Sequence, residues 1–212
     1  MDSYKETFET WNKIASLCDD KFMNLDLYDK TYDFICDSIT IENAKILEIG
    51  CGPGNISKYL LSKRPDFNIH GIDIAPNMIE LAKKNNPTAN FSVMDIRHIS
   101  ELSTKYDGIV CGFCLPYLSH SDGDKLIHAT TNLLNDNGLL YISFVEDAPE
   151  KSGFQTSSSG DRSYFYFYNI DQLKKQLLHN SFGDLKVFNV KYKRSESIKE
   201  THTIVTAKKR VI

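Results

Sequence analysis

"KILEIGCGPGN", residues 45–55, runs from an apolar stretch into a turn with glycines at 50, 52 and 54. Three of its first five residues are apolar and Gly50 breaks the pattern, so the run predicts a buried strand over 45–49 that stops at a turn. "ISKYLLSKR" then carries a helical pattern. Glycine accepts positive φ and lets a foreign group approach the main chain. A glycine turn between a strand and a helix presents free N–H groups at the carboxyl edge of a sheet, a place suited to a nucleotide-like ligand.

Outward from this turn, strand and helix signals alternate. "FNIHGIDI" (67–74), "NFSVMDI" (90–96), "YDGIVCGF" (106–113) and "GLLYISFV" (138–145) read as strands. "APNMIELAKKNN", with Pro76 in its first turn, and "SDGDKLIHATTNLLNDNG", which opens on capping residue types and stops at Gly138, read as helices. Such alternation predicts an α/β fold whose parallel sheet is covered by helices on both faces. "IRHISELSTK" (96–105) is too short and polar to define a helix.

After 146 the pattern changes. "DAPEKSGFQTSSSGDRS" (147–163) is polar, with a serine run at Ser157–Ser159, and "YFYFYNI" alternates Tyr and Phe like a strand, so 147–168 is expected to be an inserted hairpin. One helix (170–183) and two strands, "DLKVFNVKYKR" and "ETHTIVTAKK", follow, the strands joined by "SESIK", a link short enough for an antiparallel pair. Residues 1–40, with aromatics at Tyr4, Phe8, Trp11, Phe22, Tyr28, Tyr32 and Phe34, are expected to form a helical cap. The 212 residues are read as one domain: cap (1–40), cofactor-binding core (44–146), hairpin (147–168) and a closing helix with strands (169–212).

Composition narrows the partners. With 25 Lys plus Arg against 28 Asp plus Glu, the net charge of -3 gives no general attraction to nucleic acid or to an anionic membrane. A small molecule is the expected partner, bound by a monomer or homodimer. "MDSYKETFETW" lacks the basic and apolar regions of a secretory signal, and five cysteines suit a reducing compartment, so a cytoplasmic location is expected. Cys111 and Cys114 form a lone C-x-x-C without a second pair, which reads as buried thiols, and no metal site is expected.

Two acidic residues bear on the ligand. Asp73 ends the second strand 21 residues after Gly52, where a carboxylate either caps the following helix or accepts ribose hydroxyls. Asp95 repeats that position at the third strand, where a second carboxylate suits an exocyclic amine of adenine. The dinucleotide fingerprint G-x-G-x-x-G would need a glycine where Asn55 stands, which weakens the cradle for a pyrophosphate.

Together "ILEIGCGPGN", "GIDIAPNMIELAKK", "VMDI", "YDGIVCGFCLPYLS" and "LLNDNGLLYISF", in this order over residues 44–146, resemble the class I S-adenosylmethionine-dependent methyltransferases. The resemblance implies a Rossmann-like seven-stranded sheet of order 3-2-1-4-5-7-6 with strand 7 antiparallel. It implies S-adenosylmethionine as cofactor, with Gly50, Cys51 and Gly52 along its methionine part, Asp73 at the ribose, and Ile74 and Met78 near the adenosine. Asp95 and Ile96 would hold the adenine, Phe113 would floor the cofactor, and Trp11 would contact it from the cap. The implied activity is methyl transfer to a small molecule by in-line displacement, governed by proximity and orientation.

For catalysis, His120 in the loop after the fourth strand is the first base to consider, with Tyr117 beside it; a loop histidine is otherwise a solvated or capping residue. Tyr164 and Tyr166 share one face of the expected hairpin strand and either wall the acceptor pocket or sit at its rim above a row of Phe. Arg162 is the candidate for binding an acidic substrate. "CLPY" (114–117) keeps only the Pro-aromatic end of the motif used by enzymes that methylate base amines of DNA, which argues against a nucleic-base acceptor. Two other readings stay open: a non-catalytic S-adenosylmethionine-binding or regulatory protein, and a nicotinamide-dependent oxidoreductase, for which no Tyr-x-x-x-Lys is recognisable.

Overall fold

A computed structural model describes residues 3–157, 160–193 and 199–211. Three helices come first: α1 (Ser3–Lys13), α2 (Ala15–Phe22) and α3 (Asp29–Ser38). The core follows as β1 (Lys45–Ile49), α4 (Asn55–Lys63), β2 (Asn68–Asp73), α5 (Pro76–Asn85), β3 (Asn90–Val93), β4 (Tyr106–Gly112), α6 (His120–Leu133) and β5 (Leu134–Val145). The chain closes with β6 (Gly153–Thr156), β7 (Arg162–Phe165), α7 (Ile170–His179), β8 (Phe182–Lys193) and β9 (Lys199–Lys209).

The main sheet has the order β3-β2-β1-β4-β5-β9-β8. It differs from the expected 3-2-1-4-5-7-6 because β6 and β7 precede the last two strands and pair only with each other, as a separate two-stranded sheet. The first five strands are parallel; β9 runs antiparallel to both β5 and β8. The hairpin is shorter than "YFYFYNI" suggested: pairing ends at Phe165, and Tyr168 makes an isolated bridge to Glu146. The link "SESIK" and the serine run fall largely on residues 194–198 and 158–159, outside the described residues.

Strand parity distributes the core. Leu47, Ile49, Ile72, Ile109 and Ile142 pack beneath α6 and α7 with Leu126, Ile127, Leu173 and Leu177. The alternate residues Ile46, Ile69, Val110, Tyr141 and Ile204 pack beneath α3 and α4 with Ile35, Ile56 and Leu60. With helices on both faces, a central strand such as β1 has both of its faces apolar. Burying each such side chain is worth about 1.5–3 kcal/mol. One residue of β1 breaks the apolar rule: Glu48 is 1% exposed.

Local choices agree with these boundaries. Pro76 stands at the first turn of α5, where its missing N–H is not needed. Ser119 caps α6 by accepting the Asp122 N–H, and Asn169 caps α7 by accepting those of Asp171 and Gln172. The helix expected to run to Gly138 ends at Leu133. The segment 134–138 instead bulges into β5, with Asn137 at φ 62°, and the register slips between Tyr106 and Gly108. "IRHISELSTK" holds a 3-10 turn, Ile96–Glu101, capped by Asp95. Among the described residues no helix is long and apolar enough to cross a membrane.

Candidate functional site

The strands β1, β2 and β4 deliver their carboxyl ends to one cavity of about 570 Å³, roofed by α1 and α2. Its floor is the glycine turn. Gly50 and Gly52 both take positive φ, +66° and +52°, but for different reasons. A Cβ on Gly50 would lie 2.4 Å from the Cβ of Cys114, so this glycine admits the loop after β4. A Cβ on Gly52 would meet nothing within 4 Å; its bare backbone faces open cavity.

Asp73 is tied into that turn. Its Oδ2 accepts the Gly52 N–H at 2.9 Å and its Oδ1 accepts the Ala75 N–H at 2.9 Å. Burial pushes its pKa up, and the backbone donors of Ala75, Gly52 and Ile74 oppose the shift. Each carboxylate oxygen has a further lone pair for a ligand hydroxyl. The two expectations for Asp73 therefore meet in one residue, which steadies the start of α5 and lines the cavity.

Asp95 also lines the cavity, but it is not free for a ligand alone. Arg97 grips it with Nε at 3.0 Å to each oxygen and Nη2 at 2.5 Å, and its guanidinium lies 4.2 Å over the ring of Tyr4. Burial raises the carboxyl pKa, but the Arg97 contacts outweigh it and hold the group below the usual range. Cys51, Ile74, Met78, Ile96, Phe113, Trp11 and Tyr117 line the same space. The indole N–H of Trp11 is buried without a hydrogen-bond partner, and the ring meets Tyr117 edge-on at 5.2 Å. A buried donor without an acceptor is costly, so an acceptor supplied by a ligand would relieve it.

Four expected residues lie elsewhere. His120 opens α6 and is absent from the cavity wall; its Nε2 donates to the Phe167 carbonyl at 3.0 Å, and its ring packs on Tyr168 at 4.9 Å. Because β7 turns its Phe165 inward against Tyr117, at 5.7 Å, Tyr164 and Tyr166 stay off the cavity wall and pack against each other, tilted, at 4.6 Å. Arg162 forms a bidentate pair with Glu6, at 2.7 and 2.9 Å. It latches the hairpin to α1, with Thr10 donating to its carbonyl and Lys13 paired to Asp161 at 2.7 Å. These replace the expected base and substrate contacts with a roof: aromatic inside, charged outside.

Other residues enter from parts of the chain with no motif. Tyr28, Tyr32, Tyr192, Glu200 and His202 line the cavity on the side of Phe113, whose own φ is +54°. Glu48 also lines it; the Ser57 hydroxyl donates to its carboxylate, yet burial dominates and pushes its pKa up to about 7. Cys111 and Cys114 are buried thiols with sulfurs 2.7 Å apart, and burial pushes the Cys114 thiol up. Among the described residues no group of three or more His, Cys, Asp or Glu could hold a metal ion.

Residues 46–138 match the family described as "Methyltransferase domain". The malonyl-acyl-carrier-protein O-methyltransferase of Acetivibrio thermocellus is 36% identical over 102 residues, 46% of this chain and 34% of that protein. The corresponding enzyme 2 of Ilyobacter polytropus is 34% identical over 155 residues, 70% of this chain and 58% of that protein. The chain thus spans about a third to three-fifths of the length of these curated relatives. Magnesium protoporphyrin IX methyltransferase from Synechocystis, solved with bound S-adenosylmethionine, superposes with a TM-score of 0.74 at 15% identity, covering 99% of this chain and 98% of that one. The 1,6-didemethyltoxoflavin-N1-methyltransferase of Burkholderia thailandensis does so with 0.73 at 17%, covering 98% and 88%.

The sheet order and the glycine turn define a Rossmann-like α/β fold, shared with these solved methyltransferases. Residues 46–138 match a methyltransferase domain, and the chain shares its fold with solved S-adenosylmethionine-dependent methyltransferases.

Proposed function

We propose that the protein transfers a methyl group from S-adenosylmethionine to a small organic acceptor. One observation carries this reading: the open backbone of Gly52 donates to a buried carboxylate, Asp73, at the floor of a single aromatic cavity. That floor fits an adenosyl group, because it offers lone pairs for ribose hydroxyls, a side-chain-free main chain and the orphan N–H of Trp11.

S-adenosylmethionine supplies an electrophilic methyl group on a sulfonium sulfur. The protein's own share is to bind, to orient and to exclude water. Asp73 holds the ribose, and Ile74 and Met78 pack the adenosine. Asp95 and Ile96 serve the adenine edge, with Arg97 fixing the Asp95 carboxylate in place. Gly50, Cys51 and Gly52 line the methionine part, and Phe113 forms the floor. The rings of Tyr28, Tyr32 and Phe113 offer π faces, which favour a cation that disperses its charge as it reacts.

A small acceptor is supported by the size of the cavity, which falls in the range of small-molecule sites. The ring-shaped acceptors in the names of the toxoflavin and protoporphyrin enzymes point the same way. Titration calorimetry with S-adenosylhomocysteine and with NAD⁺ tests the reading. S-adenosylhomocysteine is expected to bind and Asp73→Asn to weaken it by about 1–3 kcal/mol, the cost of an unmade charged hydrogen bond. Binding of NAD⁺ without S-adenosylhomocysteine would overturn it.

A further inference from the structure

We infer that Tyr28, His202 and Glu200 form a proton relay that deprotonates a phenol-type hydroxyl, so that the acceptor is a planar hydroxylated ring. The inference rests on the methyl-transfer reading above and names its substrate class. It stands on a line of three polar side chains that opens onto the cavity from its Phe113 side.

The Tyr28 hydroxyl lies 2.6 Å from His202 Nδ1, and His202 Nε2 lies 3.5 Å from Glu200 Oε2. A carboxylate only accepts, so Nε2 carries the imidazole proton and Nδ1 offers its lone pair. Tyr28 therefore donates to His202. Three rings fix the imidazole: Tyr192 stacks on it at 4.7 Å, Tyr28 lies nearly coplanar at 6.0 Å, and Phe113 meets it edge-on at 4.8 Å. A pair that served packing alone would need neither a carboxylate behind the imidazole nor an opening onto the cavity.

The charged and titratable groups facing His202 are Tyr28 from the turn before α3, Tyr192 from β8, Glu200 from its own strand, and Lys21 of α2, whose Nζ lies 6.0 Å from the Tyr192 ring. Burial lowers the His202 pKa, and Glu200 opposes the shift, so the ring is neutral at pH 7 and able to take a proton. Such a base is superfluous for a carboxylate acceptor, which is already ionised, and too weak for an alkyl alcohol. A phenol, with the acidity of a tyrosine side chain, is acidic enough for such a base to draw off its proton as the methyl group transfers, and the flat aromatic walls match a ring.

In the reaction the acceptor oxygen forms its bond to the methyl carbon as the carbon–sulfur bond breaks, the electron pair of that bond remaining on sulfur. The acceptor's proton passes to Tyr28 Oη while Tyr28's own proton passes to His202 Nδ1. The imidazolium is paired with Glu200 and gives its proton to solvent between turnovers. Tyr28 is the catalytic residue, His202 the base acting through it, and Glu200 a positioning residue.

The test uses the protein saturated with S-adenosylhomocysteine and 4-nitrocatechol as probe, whose ring absorbance reports its ionisation. The bound probe is expected to be ionised at pH values where the free probe is protonated. Tyr28→Phe and His202→Gln are expected to cut the ionised fraction at least tenfold without changing S-adenosylhomocysteine affinity, and Glu200→Gln to move the ionisation to higher pH. Nitrogen-15 spectra of the labelled histidines in the unmutated protein give a second readout that no misfolded variant can spoil: His202 should become doubly protonated as the probe ionises. A histidine that stays neutral, or an ionised fraction equal in all four proteins, would overturn the relay. Absence of S-adenosylhomocysteine binding to the unmutated protein would instead overturn the cofactor reading on which it rests.

Discussion

Gly50 and Gly52 share left-handed backbone, and the space around each gives opposite expectations for a methyl group. Any L-residue there costs about 1–2 kcal/mol in backbone strain. Gly50→Ala also drives its Cβ into Cys114, so a clear loss of thermal midpoint is expected. Gly52→Ala meets open space; it should fold with only the strain cost and lose S-adenosylhomocysteine affinity at least tenfold, since its methyl fills the floor. Equal effects of the two on calorimetric affinity and on unfolding would contradict the assignment. Glu48 sets a pH dependence of its own. Burial disfavours the charge and pushes its carboxyl up to about 7 from an ordinary value of 4.5. The folded-state pKa is raised, so this stability is complete below about pH 4.5 and is lost as pH rises through about 7, a decline on the order of 3 kcal/mol. Urea midpoints of the unliganded protein at pH 5 and pH 8 should show it, and Glu48→Gln should flatten the difference. A decline undiminished in Glu48→Gln would assign it to other groups.

At the scale of elements, α1 and the β6–β7 hairpin act as one roof. Thr7 Oγ1 accepts the Tyr164 N–H at 2.8 Å, the Tyr4 hydroxyl donates to Asp122 at 2.6 Å, and Arg162 reaches Glu6. An exposed ion pair contributes about 0–1 kcal/mol to global stability. Arg162→Ala is therefore expected to shift the unfolding midpoint little, yet to speed amide exchange in 3–13 and 153–165 together and to raise the S-adenosylhomocysteine dissociation rate several-fold. Exchange that rises in the hairpin alone would contradict a coupled roof. The parallel core was legible because its signals are local: apolar runs, caps and glycine turns lie within a few residues of one another. The roof was not, because it depends on which face a short strand turns inward. Alternation in "YFYFY" separates Tyr from Phe and leaves that direction open; packing of Phe165 on Tyr117 decides it.

For the whole molecule, the meeting of Gly50–Gly52, Asp73 and Asp95 at one cavity was legible, because their positions at strand ends follow from strand order. The side of the cavity beside Phe113 was not, since Tyr28 and His202 are 174 residues apart and meet only when β9 enters the sheet between β5 and β8. One trace was present: His202 shares strand parity with Ile204 in "THTIVTAKK", a polar ring in a core-facing row. His120 drew the eye because it follows β4 directly, whereas helix α6 turns it toward Phe167 and away from the cavity. A crystal structure with S-adenosylhomocysteine bound tests the central claim most directly. Ribose hydroxyls are expected on Asp73, the amino-acid part along Gly50–Gly52, and the sulfur turned toward Tyr28 and His202. A ligand bound elsewhere, or an Asp73 bonded only to Gly52 and Ala75, would contradict it.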